Sequence, residues 1–161
     1  FRKVMARNED LQVFVEPAKA TSENYSLFRD YIDTRHGDGG MADMTVLDFS
    51  AMVDESVVDT RIIEFRRNAS SVRKGVLQAA ALVDVLDDGL SMIYSFFDPS
   101  EARRSLGTYM ILSVLKLAQS LNLPYVYLGY WIQASPSMQY KSRFLPQQRL
   151  TSNGWQLYVA G

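Results

Sequence analysis

The distribution of apolar positions predicts strands and helices in alternation along most of the chain. Alternating or β-branched runs predict strands over residues 10–16, 57–65, 75–86, 90–97 and 125–132. Apolar residues at helical spacing predict helices over residues 22–35, 45–55 and 106–121. In the second of these helices we expect Leu47, Phe49 and Met52 to face the core. The order of the elements predicts an α/β (α+β) domain with a mostly antiparallel sheet and a late crossover helix.

Two short segments predict where the chain turns and where the last helix begins. Residues 87–89 (Asp-Asp-Gly) separate two apolar strands, a composition that favours a tight hairpin in which Gly89 takes a positive φ. Residues 98–101 (Asp-Pro-Ser-Glu) match a helix start, with Asp98 as the cap and proline in the first position. The segment from Leu106 to Leu121 is almost wholly apolar, so this helix should be buried on most of its surface.

Composition limits the class of protein. Of the 161 residues 47% are hydrophobic and 22% charged, which predicts one folded domain over residues 1–161. The chain contains no run of about 18 apolar residues, so we expect no membrane span. It has no cysteine, which excludes disulfides, thiolate metal sites and a Cys nucleophile in these residues, and its single histidine, His36, argues against a zinc site. We therefore predict no metal site in this chain.

The net charge of −1 conceals an uneven distribution of charged residues. Residues 1–101 carry 11 basic and 18 acidic side chains, whereas six basic residues and no acidic one follow Glu101. Such a basic half is typical of a polyanionic partner, because Lys and Arg gain free energy by releasing phosphate counterions. The alternative is that the basic half packs on the acidic half.

The start of the last predicted helix carries groups suited to a phosphate. Arg103 and Arg104 offer forked donors, and the backbone from Ser105 to Gly107 would present free N–H groups that glycine leaves accessible. Arg-x-x-Gly-x after a strand is similar to the pyrophosphate loop of the GNAT acyltransferases, except that Thr108 replaces the second small residue. The alternative is an ordinary helix start with arginines facing solvent.

Two further segments carry candidate binding residues. Aromatic side chains near cations suit unpaired nucleotides, and four such residues follow the last predicted strand: Tyr130, Trp131, Tyr140 and Lys141. We interpret the preceding Tyr125 and Tyr127 as residues of the sheet core. Arg35 and His36, next to a glycine-rich segment, could bind a carboxylate, although the same segment suits a flexible connector.

Five motifs in order resemble one protein family. They lie at residues 35–41, 83–90, 96–108, 123–132 and 138–141. They are similar to the C-terminal domain of the aminoacyl-tRNA–protein transferases, and in particular of the bacterial aspartate/glutamate leucyltransferases, relatives of the eukaryotic arginyltransferases. The resemblance extends from about Asp10 to Trp155.

The resemblance implies a GNAT-like fold and a cytoplasmic enzyme. Such an enzyme moves an amino acid from charged tRNA to the N-terminal amine of proteins that begin with Asp or Glu, which marks them for degradation by the N-degron route. Leucine is favoured over arginine, because no carboxylate follows Glu101 to line an arginine pocket, although Asp84 or Asp98 could reach such a pocket and leave arginine as the alternative. The resemblance implies no cofactor in this chain. Family members carry an N-terminal Cys-rich region, associated with a metal or iron–sulfur centre, so we expect this chain to be a fragment.

For this reaction we expect distinct roles for the candidate residues. Arg103, Arg104 and the backbone of residues 105–107 would hold the phosphates of the CCA end. Tyr130 and Trp131 would line the aminoacyl or adenosine pocket. The acidic side chain of the acceptor would bind to Lys141 or to the pair Arg35 and His36, because a buried carboxylate needs a cation.

The reaction needs a hydrogen-bond donor at the carbonyl, and two other functions are alternatives. Tyr140 would donate a hydrogen bond near the reacting carbonyl, together with Lys141, and no side chain is identified as the general base. A GNAT N-acetyltransferase that uses acetyl-CoA and a non-catalytic tRNA-binding domain are the alternatives.

Overall fold

The computed structural model describes residues 1–35, 41–68, 74–132, 134–135 and 138–158. Backbone contacts divide the chain into two compact units, residues 1–127 and residues 128–161. The prediction of a single domain over the whole chain stays a prediction.

The first unit contains a five-stranded sheet and four α-helices. Its elements are α1 (Arg2–Arg7), β1 (Leu11–Pro17), α2 (Ser22–Arg35), α3 (Val46–Asp54), β2 (Thr60–Arg67), β3 (Val76–Val85), β4 (Gly89–Phe97), a 3₁₀ helix (Pro99–Arg104), α4 (Leu106–Ser120) and β5 (Tyr125–Tyr127). The strand order is β1-β2-β3-β4-β5, and the pairs are antiparallel except for the parallel pair β4–β5. A parallel pair needs a crossover, which α4 supplies. The predicted fold class, a mostly antiparallel mixed sheet flanked by helices, is confirmed.

Helices cover both faces of this sheet. On one face α4 packs Met110, Val114 and Ala118, spaced four residues apart, against strand residues that include Phe65 and Ala81. The other face is covered by α2 and α3. Their buried residues are Leu27, Phe28, Ile32, Phe49 and Val53. The two apolar stripes explain why these segments form helices that dock on a sheet.

Helix α3 is capped as its sequence suggests but buries a different face. Thr45 accepts a hydrogen bond from the Asp48 backbone, and the Asp48 carboxylate accepts one from the Thr45 N–H, so a full capping box starts the helix. Phe49 is buried, whereas Leu47 is 77% exposed, so the prediction for Leu47 was wrong. Two residues turn the helix by about 200°, which places Leu47 opposite Phe49.

The hairpin between β3 and β4 forms as predicted, but the reason for its glycine differs. The Leu86 N–H donates to the Gly89 carbonyl at 2.9 Å, which closes the turn. Gly89 does not take a positive φ. A Cβ at this position would lie 2.6 Å from the backbone oxygen of Tyr125. The close approach of β5, and not the turn, therefore requires glycine here.

The second unit contains a 3₁₀ helix and a hairpin that the hydrophobic pattern did not predict. The 3₁₀ helix spans Gln139–Arg143, and β6 (Gln147–Thr151) pairs with β7 (Gly154–Tyr158). The strand predicted over residues 125–132 ends already at Tyr127. In the described part of the chain, no helix is both long and apolar enough to cross a membrane.

Candidate functional site

The sheet leaves part of one edge of β4 open beside the start of α4. β5 pairs only with residues 89–91 of β4, and among the described residues no strand pairs with residues 92–97 on that side. The chain then passes through the 3₁₀ helix and enters α4 at Leu106. A Cβ at Gly107 would lie 3.7 Å from the Phe97 ring. The start of α4 therefore lies against the end of this open edge.

The first turn of α4 is suited to an anion. Ser105, the residue before the helix, has a left-handed backbone (φ 55°, ψ 48°), and its side chain makes no capping hydrogen bond. The first helical hydrogen bond runs from the Tyr109 N–H to the Ser105 carbonyl at 3.0 Å. The preceding backbone N–H groups lie at the positive end of the helix dipole, where phosphates and carboxylates bind.

The two arginines before α4 have different surroundings. The Arg104 guanidinium makes a forked ion pair with Asp10 at 2.7 and 2.8 Å and a further one with Glu101 at 3.1 Å. The hydrogen bond from Arg104 holds the pKa of the Asp10 carboxyl below its usual value. Arg103, in contrast, is exposed and makes no ion pair within the part of the chain that the structure describes. Of these two arginines, Arg103 presents a charge with no ion pair among the described residues, and the predicted phosphate contact of Arg104 stays a prediction that its ion pairs disfavour.

Phe97 connects the start of α4 with the end of α2. Its ring centroid lies 4.9 Å from that of Tyr31, and the Arg35 guanidinium carbon lies 4.9 Å from the Phe97 ring centroid. The structure therefore brings Arg35, predicted to bind the acceptor, to the same ring that a Cβ at Gly107 would meet. His36 lies outside the described residues.

In the second unit, Lys141 holds the segment that carries the predicted aromatic residues. Its ammonium donates to the carbonyl of Leu128 at 2.6 Å and to that of Tyr130 at 3.1 Å. No carboxylate of the described residues lies within ion-pair distance, and burial lowers the pKa of Lys141. Tyr130 is 90% exposed, whereas Tyr140, next to Lys141 in the 3₁₀ helix, is partly buried.

The Trp131 ring stacks on the guanidinium of Arg149, a residue that no motif in the sequence indicates. The Arg149 guanidinium carbon lies 3.7 Å from the Trp131 ring centroid and 3.4 Å from that of Tyr158. Its Nε donates to Gln147 at 3.0 Å, which fixes the stacked geometry. The strand pairing of β6 with β7, which brings Arg149 between the two rings, was not visible in the sequence.

Tyr125 and Tyr127 do not fill the core as predicted. Tyr125 is 46% exposed, and the Tyr127 hydroxyl donates to the Asp88 carboxylate at 2.8 Å. That hydrogen bond raises the pKa of the Tyr127 hydroxyl. The prediction was wrong because β5 is a short edge strand, so its side chains are only partly covered.

No metal site is found in the part of the chain that the structure describes. No group of three or more histidine, cysteine, aspartate or glutamate side chains there is placed to hold an ion.

Two solved structures share this fold. A possible acetyltransferase from Clostridium difficile 630 superposes with a TM-score of 0.59 at 11% identity, over 92% of this chain and 99% of that one. An acetyltransferase from Trypanosoma brucei gives a TM-score of 0.53 at 14% identity, over 94% of this chain and 99% of that one. At such low identity these matches concern the fold alone, and they confirm the GNAT-like fold predicted from the sequence.

Relatives found by sequence comparison are much more similar to this chain than these two structures are. The chain is 62% identical over 159 residues to the aspartate/glutamate leucyltransferase of Bradyrhizobium sp. (strain ORS 278), and 52% identical over 160 residues to that of Parvibaculum lavamentivorans. These alignments cover 96% and 99% of this chain but 62% and 64% of the relatives, so the chain spans less than two thirds of their length. The family model described as "Arginine-tRNA-protein transferase, C terminus" matches residues 23–151. Since that match covers most of the chain, this protein belongs to the arginine-tRNA-protein transferase C-terminal family.

Proposed function

We propose that this chain is the acyl-transfer part of an aspartate/glutamate leucyltransferase. It moves leucine from charged tRNA to the N-terminal amine of proteins that begin with Asp or Glu. One observation carries the proposal. The open edge of β4 ends at Phe97, and both the first turn of α4 and the Arg35 guanidinium lie next to the Phe97 ring. The names of relatives at up to 62% identity support leucine as the transferred residue. The reaction takes place in the cytoplasm, where charged tRNA is found, and the added leucine marks the acceptor for N-degron degradation.

The reaction is aminolysis of an ester. The neutral amine of the acceptor attacks the carbonyl carbon of the aminoacyl ester, a C–N bond forms, and the bond from that carbon to the ribose oxygen breaks. One proton leaves the amine, and one is taken up by the ribose oxygen. The protein must position the two reactants and stabilise the negative charge on the carbonyl oxygen.

The donor end is bound by the start of α4. Backbone N–H groups of its first turn hold a phosphate of the CCA end, and Arg103 adds an uncompensated positive charge. Gly107 lets the phosphate approach, because no Cβ covers the backbone there. Arg104 acts indirectly, since its ion pairs with Asp10 and Glu101 fix the loop before the helix.

The aromatic residues of the second unit bind the nucleotide or the aminoacyl group. Exposed Tyr130 offers a ring face on which a base stacks, and Trp131 contributes the second ring, held in place by Arg149. Tyr140 donates a hydrogen bond near the reacting carbonyl.

Arg35 and Lys141 are the two candidates for the acidic side chain of the acceptor. The Arg35 guanidinium stacks on Phe97 and makes no ion pair among the described residues. The Lys141 ammonium is partly buried, and two carbonyls use two of its three donors. A substrate carboxylate would supply the missing counter-charge to either cation, which explains a requirement for Asp or Glu.

The proposal is tested by label transfer. This chain, and a protein as long as the curated relatives, are each mixed with labelled Leu-tRNA or Arg-tRNA and with peptides that begin with Asp, Glu or Ala. We expect label from Leu-tRNA on the Asp and Glu peptides only. Label from Arg-tRNA alone would overturn leucine as the transferred residue.

Two further outcomes separate the competing functions. Transfer from labelled acetyl-CoA without any from tRNA would indicate an N-acetyltransferase. Binding of tRNA with no transfer by either protein would indicate a non-catalytic binding domain. The longer protein is needed because this chain spans 62% of its relatives.

A further inference from the structure

We propose that Arg7 and Arg103 form a second phosphate-binding site, which takes the sugar-phosphate backbone of the RNA between α1 and the start of α4. The proposal rests on the proposed function, because that function requires an RNA substrate. It assigns a role to α1, a helix for which neither the motifs nor the acyl-transfer chemistry gives a reason.

The site is an open cavity of about 400 Å³ lined by Arg7, Arg103 and Arg104. Arg7 is the last residue of α1, and its Nη1 donates to the Arg103 carbonyl at 3.0 Å. Arg103 lies two positions before Ser105, the residue that precedes α4. Along the chain, the lining of the cavity thus ends two residues before the first turn of α4, to which we assign a phosphate of the CCA end.

The three arginines contribute differently to the charge of this cavity. Arg104 is neutralised by its forked ion pair with Asp10 and by its contact with Glu101. Neither Arg7 nor Arg103 makes an ion pair with a described residue. Two exposed guanidinium groups thus face the cavity without a counter-charge, and both retain forked donors that match phosphate oxygens.

Buried polar contacts fix the distance between α1 and the start of α4. Asn8 is fully buried, and its side-chain amide donates to the Val4 carbonyl at 2.8 Å and to the Arg104 carbonyl at 3.0 Å. Arg104 in turn donates to the Arg7 carbonyl at 3.2 Å. Because these bonds join both backbone segments, the site is already formed before a ligand binds.

The composition of α1 favours a nucleic-acid backbone over a small anion. The helix exposes Arg2, Lys3 and Arg7 and contains no acidic residue. Glu9 and Asp10 follow the helix: Asp10 pairs with Arg104, whereas Glu9 is exposed and makes no ion pair among the described residues. No aromatic side chain lines the cavity, so it offers charge without a surface for base stacking. Such a site positions an RNA strand by its phosphates and carries no sequence preference.

The test measures the affinity of tRNA at several salt concentrations for Arg7→Ala and Arg103→Ala. The matched control is Lys116→Ala, which also removes one exposed, unpaired positive charge from the described residues, about 15 Å further along α4. We expect each arginine variant to weaken tRNA binding about fivefold at low salt and to reduce the slope of log K against log salt by about 1. The control should leave affinity and slope unchanged, and KM for the acceptor peptide should not change in any variant.

Two controls and three outcomes decide whether the second phosphate-binding site exists. Melting temperatures within about 2 °C of the wild type show that the variants are folded, and Arg7→Lys, which keeps the charge, should retain the salt slope. If the wild type transfers leucine while Arg7→Ala binds tRNA as tightly as the Lys116 variant, this second site is refuted and the proposed function stands. A loss of affinity in Arg103→Ala alone refutes it too, because Arg103 also serves the phosphate of the CCA end. If a wild-type protein as long as the curated relatives neither binds tRNA nor transfers an amino acid, the proposed function fails, and the second site fails with it.

Discussion

Replacing Gly107 by alanine separates the contribution of the first turn of α4 to folding from its contribution to binding. Gly107 is the second residue of the helix, where glycine is a poor choice for stability because it costs more backbone entropy than alanine. Packing does not require glycine there, since an added Cβ would lie 3.7 Å from the Phe97 ring, an ordinary van der Waals contact. A phosphate held by the backbone of this turn does require it.

The expected changes in stability and in activity therefore have opposite signs. The free energy of unfolding should rise by about 0.5 kcal/mol, roughly half of the difference between glycine and alanine in a helix interior, because the position is near the end. The Cβ would displace the phosphate from the backbone N–H groups, and one charge-assisted hydrogen bond contributes about 1.5 kcal/mol. We therefore expect KM for Leu-tRNA to rise about tenfold, with KM for the acceptor peptide unchanged.

The assay combines urea denaturation with steady-state transfer kinetics. Gly89→Ala is the control for steric sensitivity, because its Cβ would lie 2.6 Å from the Tyr125 oxygen and 2.9 Å from the Tyr127 ring. That variant should lose about 1–3 kcal/mol of stability through overpacking. If Gly107→Ala is more stable and its KM for Leu-tRNA equals that of the wild type, the start of α4 does not bind the donor phosphate.

Three further predictions concern charged groups. Lys141→Met should raise KM for Asp and Glu peptides at least tenfold, because the positive charge is lost. Burial lowers the pKa of Lys141, so in the wild type this charge is lost, and KM rises, at a lower pH than for an ordinary lysine. If KM of Lys141→Arg depends on alkaline pH as KM of the wild type does, Lys141 does not bind the acceptor. Arg104 lowers the pKa of Asp10, so their ion pair stabilises the fold fully above the ordinary value of 3.8 and loses its effect as the pH falls below it. Asp10→Asn should thus cost up to about 1 kcal/mol in urea denaturation at pH 7, and the difference from wild type should shrink as the pH falls through the lowered pKa of Asp10. Arg66→Ala removes from the buried Glu64 carboxylate its partner at 2.8 Å and leaves it the Asn24 amide at 3.4 Å and the Lys74 ammonium at 3.9 Å. A loss of about 3 kcal/mol is expected, and a loss below 1 kcal/mol would refute that argument.

Elements whose signal lies within a few neighbouring residues could be predicted from the sequence. The helix stripe around Val114, the cap at Asp98 and the β3–β4 hairpin depend on helical spacing, a capping residue and a turn. The motifs that resemble the transferases likewise lie in short segments. Element ends were less accurate: the strand predicted over residues 57–65 lies at Thr60–Arg67, because pairing with both β1 and β3 decides its limits.

The sequence by itself determined the fold class, the family and the set of candidate residues, since each depends on residue types and their local spacing. Only the tertiary structure decided which of those residues are available to a ligand. Arg103 and Arg104 are adjacent and identical in type, yet Arg104 is neutralised by Asp10, 94 residues away in the chain. Arg35 and Gly107 lie next to the same Phe97 ring only because α2 and α4 pack against the same end of the sheet. The physical reason is that electrostatic pairing and burial depend on distance in space, which local periodicity does not encode.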